Sequence, residues 1–184
     1  MYWFATGGPP RASRKDRTGI YHPQTGQPQI MLLSQLITPE AIVPSLKVNT
    51  KKQALQELSE RAALVSGLPP REIFDTLLQR ERLGSTGIGE GIAIPHGKLA
   101  DAHAIFGIFA RLPRPIDFEA IDGVPVDLIC LLIAPESAGA DHLKALACIA
   151  RMLRDPKITA KLRAARDVTG LYAVLTGEPA THAA

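Results

Sequence analysis

GSTGIGEGIAIPHG, residues 84–97, sets one histidine, His96, behind a short apolar run and a loop crowded with glycines. Gly84, Gly87, Gly89 and Gly91 let the backbone take positive φ and approach a ligand closely, and amides turned into such a concavity receive phosphate oxygens. Ser85 and Thr86 add hydroxyls, so Gly84, Ser85, Thr86 and Gly87 are expected to form a phosphate-binding loop. Ile92, Ala93 and Ile94 predict a short buried strand. Pro95 is expected to end its ladder and bring His96 out at a sheet edge or strand end, where chemistry is commonly placed. The pattern suits a phosphorylatable imidazole. It does not suit a nucleotide site: no Gly-Lys-Ser/Thr follows the glycines, and Gly87, Gly89 and Gly91 are spaced GxGxG rather than GxGxxG.

Outward from this stretch, 184 residues of 46% hydrophobic composition are enough for one sizeable core and one main domain. The formal charge of +3 comes entirely from Arg11, Arg14, Lys15 and Arg17 against Asp16, since residues 31–184 carry equal numbers of basic and acidic side chains. A neutral domain behind a small basic leader lacks the electrostatic footprint of phosphate-backbone binding, so no nucleic-acid partner is expected. Cys130 and Cys148 lie in apolar runs and read as reduced core residues of a cytoplasmic protein. Met1 to Ala5 is too short for a signal core, and no window approaches a membrane span, so no membrane insertion is expected.

Residues 1–30 hold four glycines, four prolines and four basic residues with no apolar periodicity, and predict a flexible leader. The domain is expected over 31–178, with Met31 a candidate start, and 179–184 as a flexible tail. Thr38-Pro39-Glu40 predicts a capped first turn, and Ile42 to Val48 a strand. Asn49 or Thr50 caps a helix with Ala54, Leu55, Leu58, Ala62 and Val65 on one face, ended by Gly67. A second helix follows Pro69-Pro70 with Ile73, Phe74, Leu77 and Leu78 inward; Gly84 stops it, leaving Arg80 and Glu81 at the edge of the glycine loop. Ala104–Leu112 and Val126–Ala134 predict central strands covered on both faces. Asp141 predicts the N-cap of a helix with Leu143, Leu146, Ile149, Ala150 and Leu153 inward and His142 in its first turn. Asp155-Pro156 opens a short helix, and a last one runs from Asp167 to Leu175. The expected fold is α/β: a single domain with a mixed central sheet flanked by helices on both faces.

Leu83-Gly-Ser-Thr-Gly-Ile-Gly-Glu-Gly-Ile-Ala-Ile-Pro-His-Gly-Lys98, with Arg80-Glu81 before it and Ala134-Pro135 followed by Asp141-His142-Leu143, resembles the enzyme IIA components of the fructose and mannitol class of the bacterial phosphoenolpyruvate-dependent phosphotransferase system, nearest their nitrogen-regulatory branch. The resemblance covers roughly residues 31–178. It implies that His96 accepts a phosphoryl group at Nε2 from an HPr-type histidine phosphocarrier, and that Arg80, Glu90 and His142 are the other active-site residues. Physically, Arg80 would hold the equatorial oxygens through its fork of donors, and His142 would donate to them with help from its helix's positive end. Glu90 would accept from an imidazole N–H and orient the ring. His103 reads as a surface residue, and His22 and His182 belong to leader and tail. No spacing among the histidines and cysteines makes a metal-ligand set, so neither a metal nor any other cofactor is implied.

The leading expectation is a regulatory phosphocarrier whose phosphorylation state controls target proteins. The alternative is a sugar-specific IIA subunit that passes phosphoryl to a separate IIB of a fructose-type or mannitol-type permease. A small-molecule anion-binding enzyme on the same loop lacks a second catalytic group and a cofactor motif.

Overall fold

The computed structural model describes residues 33–177. The leader, Met31, the tail, His22 and His182 lie outside those residues. The elements are β1 (Ile42–Val43), α1 (Lys51–Ser66), α2 (Pro70–Arg82), β2 (Gly87–Gly89), β3 (Ile92–Ala93), β4 (His96–Leu99), β5 (Phe106–Ile116), β6 (Val126–Pro135), α3 (Gly139–Leu153), α4 (Pro156–Ala164) and α5 (Val168–Thr176). The strands form one mixed sheet in the order β1-β5-β6-β3-β2, with β4 also paired to β6. Helices flank it, as the sequence predicts.

β6 is the axis. Its residues 128–134 are all fully buried, so it reads as a continuous apolar run rather than an alternating one. On one side it pairs antiparallel with β5, Phe109 opposite Cys130. On the other it pairs parallel first with β3 (Ile92 with Leu128) and then with β4 (His96 with Leu132). β3 and β4 are therefore two halves of one strand line interrupted at Ile94-Pro95. This corrects the expectation that Pro95 ends the ladder. Proline lacks the donor but keeps its carbonyl, which accepts from Leu132 N at 2.9 Å and carries the pairing across the break. His96 is consequently the first residue of a paired strand rather than a residue beyond one.

Helix boundaries follow local chemistry where a cap or stop is strong. Thr50 accepts from Gln53 N to start α1, Gly67 closes it in the left-handed region at φ 75°, and Asp155 and Asp167 cap α4 and α5. Three expectations fail. Thr38-Pro39-Glu40 opens only a 3-10 turn, Pro39–Ala41, with no side-chain cap. β1 stops after two residues at Pro44 instead of reaching Val48. Asp141 is not a cap: α3 begins at Gly139 directly after a 3-10 turn, Glu136–Ala138, and Asp141 sits within its first turn, paired with Lys144 at 2.9 Å. The inward stripe is therefore His142, Ala145, Ile149 and Leu153, spaced three and four apart, and Leu143 is 66% exposed. β5 also runs beyond Leu112 through Pro113 and Pro115, tolerated because its register with β6 shifts between Arg111 and Ile116.

α1 and α2 pack together, and α2 lies directly on β4. A Cβ built at Gly97 would come within 2.6 Å of Thr76 Cγ2, so only glycine admits this approach. The close seating brings the last turn of α2, with Arg80, over the start of β4, with His96.

A histidine pair at the junction of α2, β4 and α3

His96 is half-buried and held at both ring nitrogens. Nδ1 lies 2.8 Å from the Ile94 carbonyl, and Nε2 lies 3.0 Å from Arg80 Nε. A carbonyl only accepts, and a guanidinium N–H only donates. The proton therefore sits on Nδ1, and the lone pair sits on Nε2. Burial lowers the His96 pKa from its usual 6.5. The Ile94 bond opposes that, the Arg80 charge adds to it, and the Glu81 charge opposes it. The net result is a neutral imidazole at neutral pH with a nucleophilic Nε2.

Arg80 divides its donors. Nε is on His96, and Nη1 donates to the Gly84 carbonyl at 3.0 Å. His142, in the first turns of α3, is 6% exposed, and its ring centroid is 5.8 Å from that of His96. Its pKa is pushed down to about 4, chiefly by burial and then by the charges of His96 and Lys98, so it too is neutral. His142 Nδ1 is buried without a hydrogen-bond partner, a condition shared among the described residues only by Arg61 Nε. A buried polar atom left open costs about 1–3 kcal/mol, and this one lies on the ring that neighbours His96.

The glycine loop behaves otherwise than expected. Thr86 N donates to both Glu81 carboxylate oxygens at 3.1 Å, and Thr86 Oγ1 donates to Oε2 at 2.6 Å. Gly87 N donates to Ser85 Oγ at 3.1 Å, Ser85 Oγ donates to the Phe118 carbonyl at 2.7 Å, and Gly84 N donates to the Glu81 carbonyl at 3.2 Å. These donors are turned inward and engaged. The physical reason is Glu81, a 7%-exposed carboxylate that requires donors and takes those nearest in the chain.

The structure does not bring the Glu90 carboxylate onto the imidazole. Glu90 is exposed at the β2–β3 turn with φ 57°; its N–H donates to Asp122 at 2.8 Å, and its carbonyl accepts from Arg163 at 2.7 Å. The acceptor at Nδ1 is the Ile94 carbonyl, a rigid group two residues back in the chain. Sequence reasoning missed that carbonyl, which carries no side-chain signal. It also gave Glu81 no role, although a charged residue in the last turn of a helix before a hydroxyl-bearing loop was a usable clue. Cys130 is buried in β6, where burial pushes its thiol up to about 12, and Cys148 is half-buried on α3. No helix among the described residues is long and apolar enough to cross a membrane.

Comparison with known proteins identifies the family. Residues 35–177 match the family model described as phosphoenolpyruvate-dependent sugar phosphotransferase system, EIIA 2. The chain is 62% identical over 153 residues to a nitrogen regulatory protein of Bradyrhizobium diazoefficiens, covering 83% of this chain and all of that one. It is 41% identical over 158 residues to the nitrogen regulatory protein of Escherichia coli K12, covering 85% and 97%. Among solved structures, nitrogen regulatory protein IIA-Ntr from Neisseria meningitidis superposes with a TM-score of 0.73 at 36% identity, over 76% of this chain and 95% of that one. The mannitol IIA of Escherichia coli, at 24% identity and a TM-score of 0.64 over 76% and 98%, shares the fold. The chain thus belongs to the EIIA 2 family of the phosphoenolpyruvate-dependent phosphotransferase system, a family of phosphotransferase components, and is similar within it to the nitrogen regulatory proteins.

Proposed function

We propose that this protein is a regulatory phosphocarrier that accepts a phosphoryl group on His96 Nε2 from an HPr-type histidine phosphocarrier and controls target proteins through its phosphorylation state. The observation that carries the reading is the His96 ring itself: Nδ1–H fixed on the Ile94 carbonyl, with the Nε2 lone pair directed at Arg80, and the His142 ring, whose Nδ1 is open, 5.8 Å away between centroids.

In the transfer, Arg80 Nε releases Nε2, whose lone pair forms the new N–P bond. The donor's N–P bond breaks, and its electron pair goes to the donor imidazole. The Nδ1–H stays on the Ile94 carbonyl while positive charge grows on the accepting ring. Arg80 swings its freed donors onto the equatorial oxygens, and His142 Nδ1–H supplies another. These are charge-assisted or otherwise unmade bonds, of the kind that stabilise a spread negative charge. The start of α3 adds its partial positive charge. Glu90 takes no part in orienting the ring. No metal or nucleotide is required by this step. The cytoplasm, where such a donor resides, is the compartment the reading implies.

A second reading, transfer to a separate IIB of a sugar permease, has support from 32% identity over 155 residues to the 2-O-alpha-mannosyl-D-glycerate-specific EIIABC component of Escherichia coli K12, of which the match spans 24%. The higher identity to nitrogen regulatory proteins across nearly their whole length favours the first. Incubation with phosphoenolpyruvate, enzyme I and an HPr-type carrier, followed by phosphosite mapping, tests the reading. It predicts one acid-labile, base-stable label on His96. Onward loss of label to an added fructose-type or mannitol-type IIB would favour the second.

A further inference from the structure

One chain of hydrogen bonds runs from the Glu81 carboxylate to His96 Nδ1, and a second path, through the main chain of the loop that the carboxylate closes, leads to Nε2. In the first, Thr86 is fixed to Glu81 by its N–H and its hydroxyl, and the Thr86 carbonyl accepts the Ile94 N–H at 2.9 Å. The carbonyl of the same Ile94 holds His96 Nδ1. In the second, the closure of Thr86 onto Glu81 folds residues 81–86 into a tight loop. That loop presents the Gly84 carbonyl to Arg80 Nη1, and Arg80 Nε in turn lies on His96 Nε2. Gly84 itself has φ 146°, a conformation that favours glycine, and its N–H is tied back to the Glu81 carbonyl. Lys51 Nζ, at the start of α1, lies 3.3 Å from Glu81 Oε1 and also pairs with Glu119, so the buried carboxylate has a cation beside it.

We infer that Glu81 is a positioning residue for His96: its clamped carboxylate brackets the imidazole from both sides, through Thr86 and Ile94 to Nδ1 and through Gly84 and Arg80 to Nε2. The claim rests on the reading of His96 as phosphoryl acceptor only for its consequence in transfer. The bracket itself is a property of the unphosphorylated protein. Glutamine replaces the paired anionic oxygens with one neutral acceptor and an NH2. With its oxygen toward the Thr86 hydroxyl, its NH2 faces the Lys51 ammonium, donor against donor; turned the other way, its NH2 meets the Thr86 hydroxyl, which must give up its short bond to the carboxylate and accept instead, so the clamp is weakened in either orientation.

The test compares the full-length parent with Glu81→Gln, Thr86→Val and Thr86→Ser, by imidazole 15N NMR of the unphosphorylated proteins and by single-turnover transfer from phosphorylated HPr. In Glu81→Gln both His96 resonances should move, Nδ1 from loss of the fixed Ile94 carbonyl and Nε2 toward the position of an uncapped nitrogen. Transfer should slow by on the order of tenfold to a hundredfold, the usual effect of misplacing a reacting group, with KM for the phosphorylated donor little changed. Thr86→Val removes one donor to Glu81 and should produce the same changes at smaller amplitude, so the claim remains testable if Glu81→Gln folds poorly. Thr86→Ser should recover what Thr86→Val loses. A role confined to holding the fold together would lower melting temperature without moving the two resonances in the folded protein. Unmoved resonances in both Glu81→Gln and Thr86→Val overturn the inference, as do moved resonances with parental transfer rates. If the parent takes no label at His96, the phosphocarrier reading fails, and the resonances still decide whether Glu81 brackets the ring.

Discussion

Two polar regions flank His96, and they differ in how completely their hydrogen bonds are made. In the loop from Gly84 to Gly87, the Gly84, Thr86 and Gly87 amides and the Ser85 and Thr86 hydroxyls are engaged within the protein, on Glu81, Ser85 and Phe118. The start of α3 instead carries a buried ring nitrogen with no partner, His142 Nδ1. Glycines and hydroxyls made the loop look like the ligand cradle. The made bonds suit a scaffold, and under the proposed function the unmade bond is the one that an incoming oxygen completes. A polar group's residual capacity, rather than its residue type, says which role it has.

The largest effect expected from this comparison is at the atom both regions serve. His96→Ala should remove all phosphoryl labelling while leaving the fold intact, since the ring is half-buried and contributes little to the core around β6. Transfer of the label to His142 or normal labelling of the variant would show that Nε2 of His96 is not the acceptor. In the parent, the His96 pKa lies below 6.5, so its lone pair is available throughout the neutral range. The transfer rate should therefore fall only as the pH drops below about 6.5, when a proton competes for Nε2. A rate that falls on the alkaline side of neutrality instead would place the controlling group elsewhere.

Next in size is Arg80→Lys. The variant keeps a positive charge but loses the fork that reaches His96 and Gly84 together, so transfer should slow by on the order of tenfold to a hundredfold. Stopped-flow or quench-flow transfer from phosphorylated HPr measures it. Equal rates across a pH series would mean that the charge alone suffices and that the open capacity near His142 carries more of the work.

His142→Phe tests the open side directly. Replacing an unpartnered buried imidazole with an apolar ring removes a desolvation cost of about 1–3 kcal/mol, so stability in denaturant should hold or rise while transfer slows by about tenfold. The acid behaviour should change as well. A histidine whose folded pKa is about 4 against 6.5 unfolded supports the folded state fully above 6.5 and loses that contribution as pH falls from 6.5 toward 4. The Phe variant should lose less stability across that window than the parent. A variant that is less stable than the parent at neutral pH would mean that His142 is engaged within the protein and the site has no open partner.

Much of this architecture was legible because it rests on strong local signals. Thr50, Gly67, Asp155 and Asp167 mark helix ends by caps that act over a few residues, and the apolar run 126–134 could only be a covered strand. The failures share a different physics. Asp141 looks like a cap, but the chain enters α3 from a 3-10 turn two residues earlier, and this turns His142 inward and Leu143 outward. Pro95 looks like the end of a strand, but a parallel neighbour needs only its carbonyl. In the site, His96, Arg80 and His142 came from a motif, and the structure brings them together. The acceptor at Nδ1 is a main-chain carbonyl and the loop's anchor is Glu81, and neither is distinguishable until the backbone is folded.

The smallest expected effect, and the one best able to break the comparison, is at Ser85. Its hydroxyl donates to the Phe118 carbonyl and accepts from Gly87 N, joining the glycine loop to the segment after β5. If the loop is scaffold, Ser85→Ala leaves two main-chain groups without their partner and should lower stability by roughly 1–3 kcal/mol. Transfer at a temperature where the variant is fully folded should stay close to the parent, because the hydroxyl that is lost was never directed at His96. The two measurements are separable: a denaturant midpoint for the first, single-turnover transfer at low temperature for the second. If the loop were instead a phosphate cradle, the same substitution would slow transfer strongly and leave the midpoint almost unmoved, since a donor held for a ligand contributes little to the empty protein. That result would reverse the assignment of scaffold and open side, and with it the inference that Glu81 organises the loop for the sake of the ring.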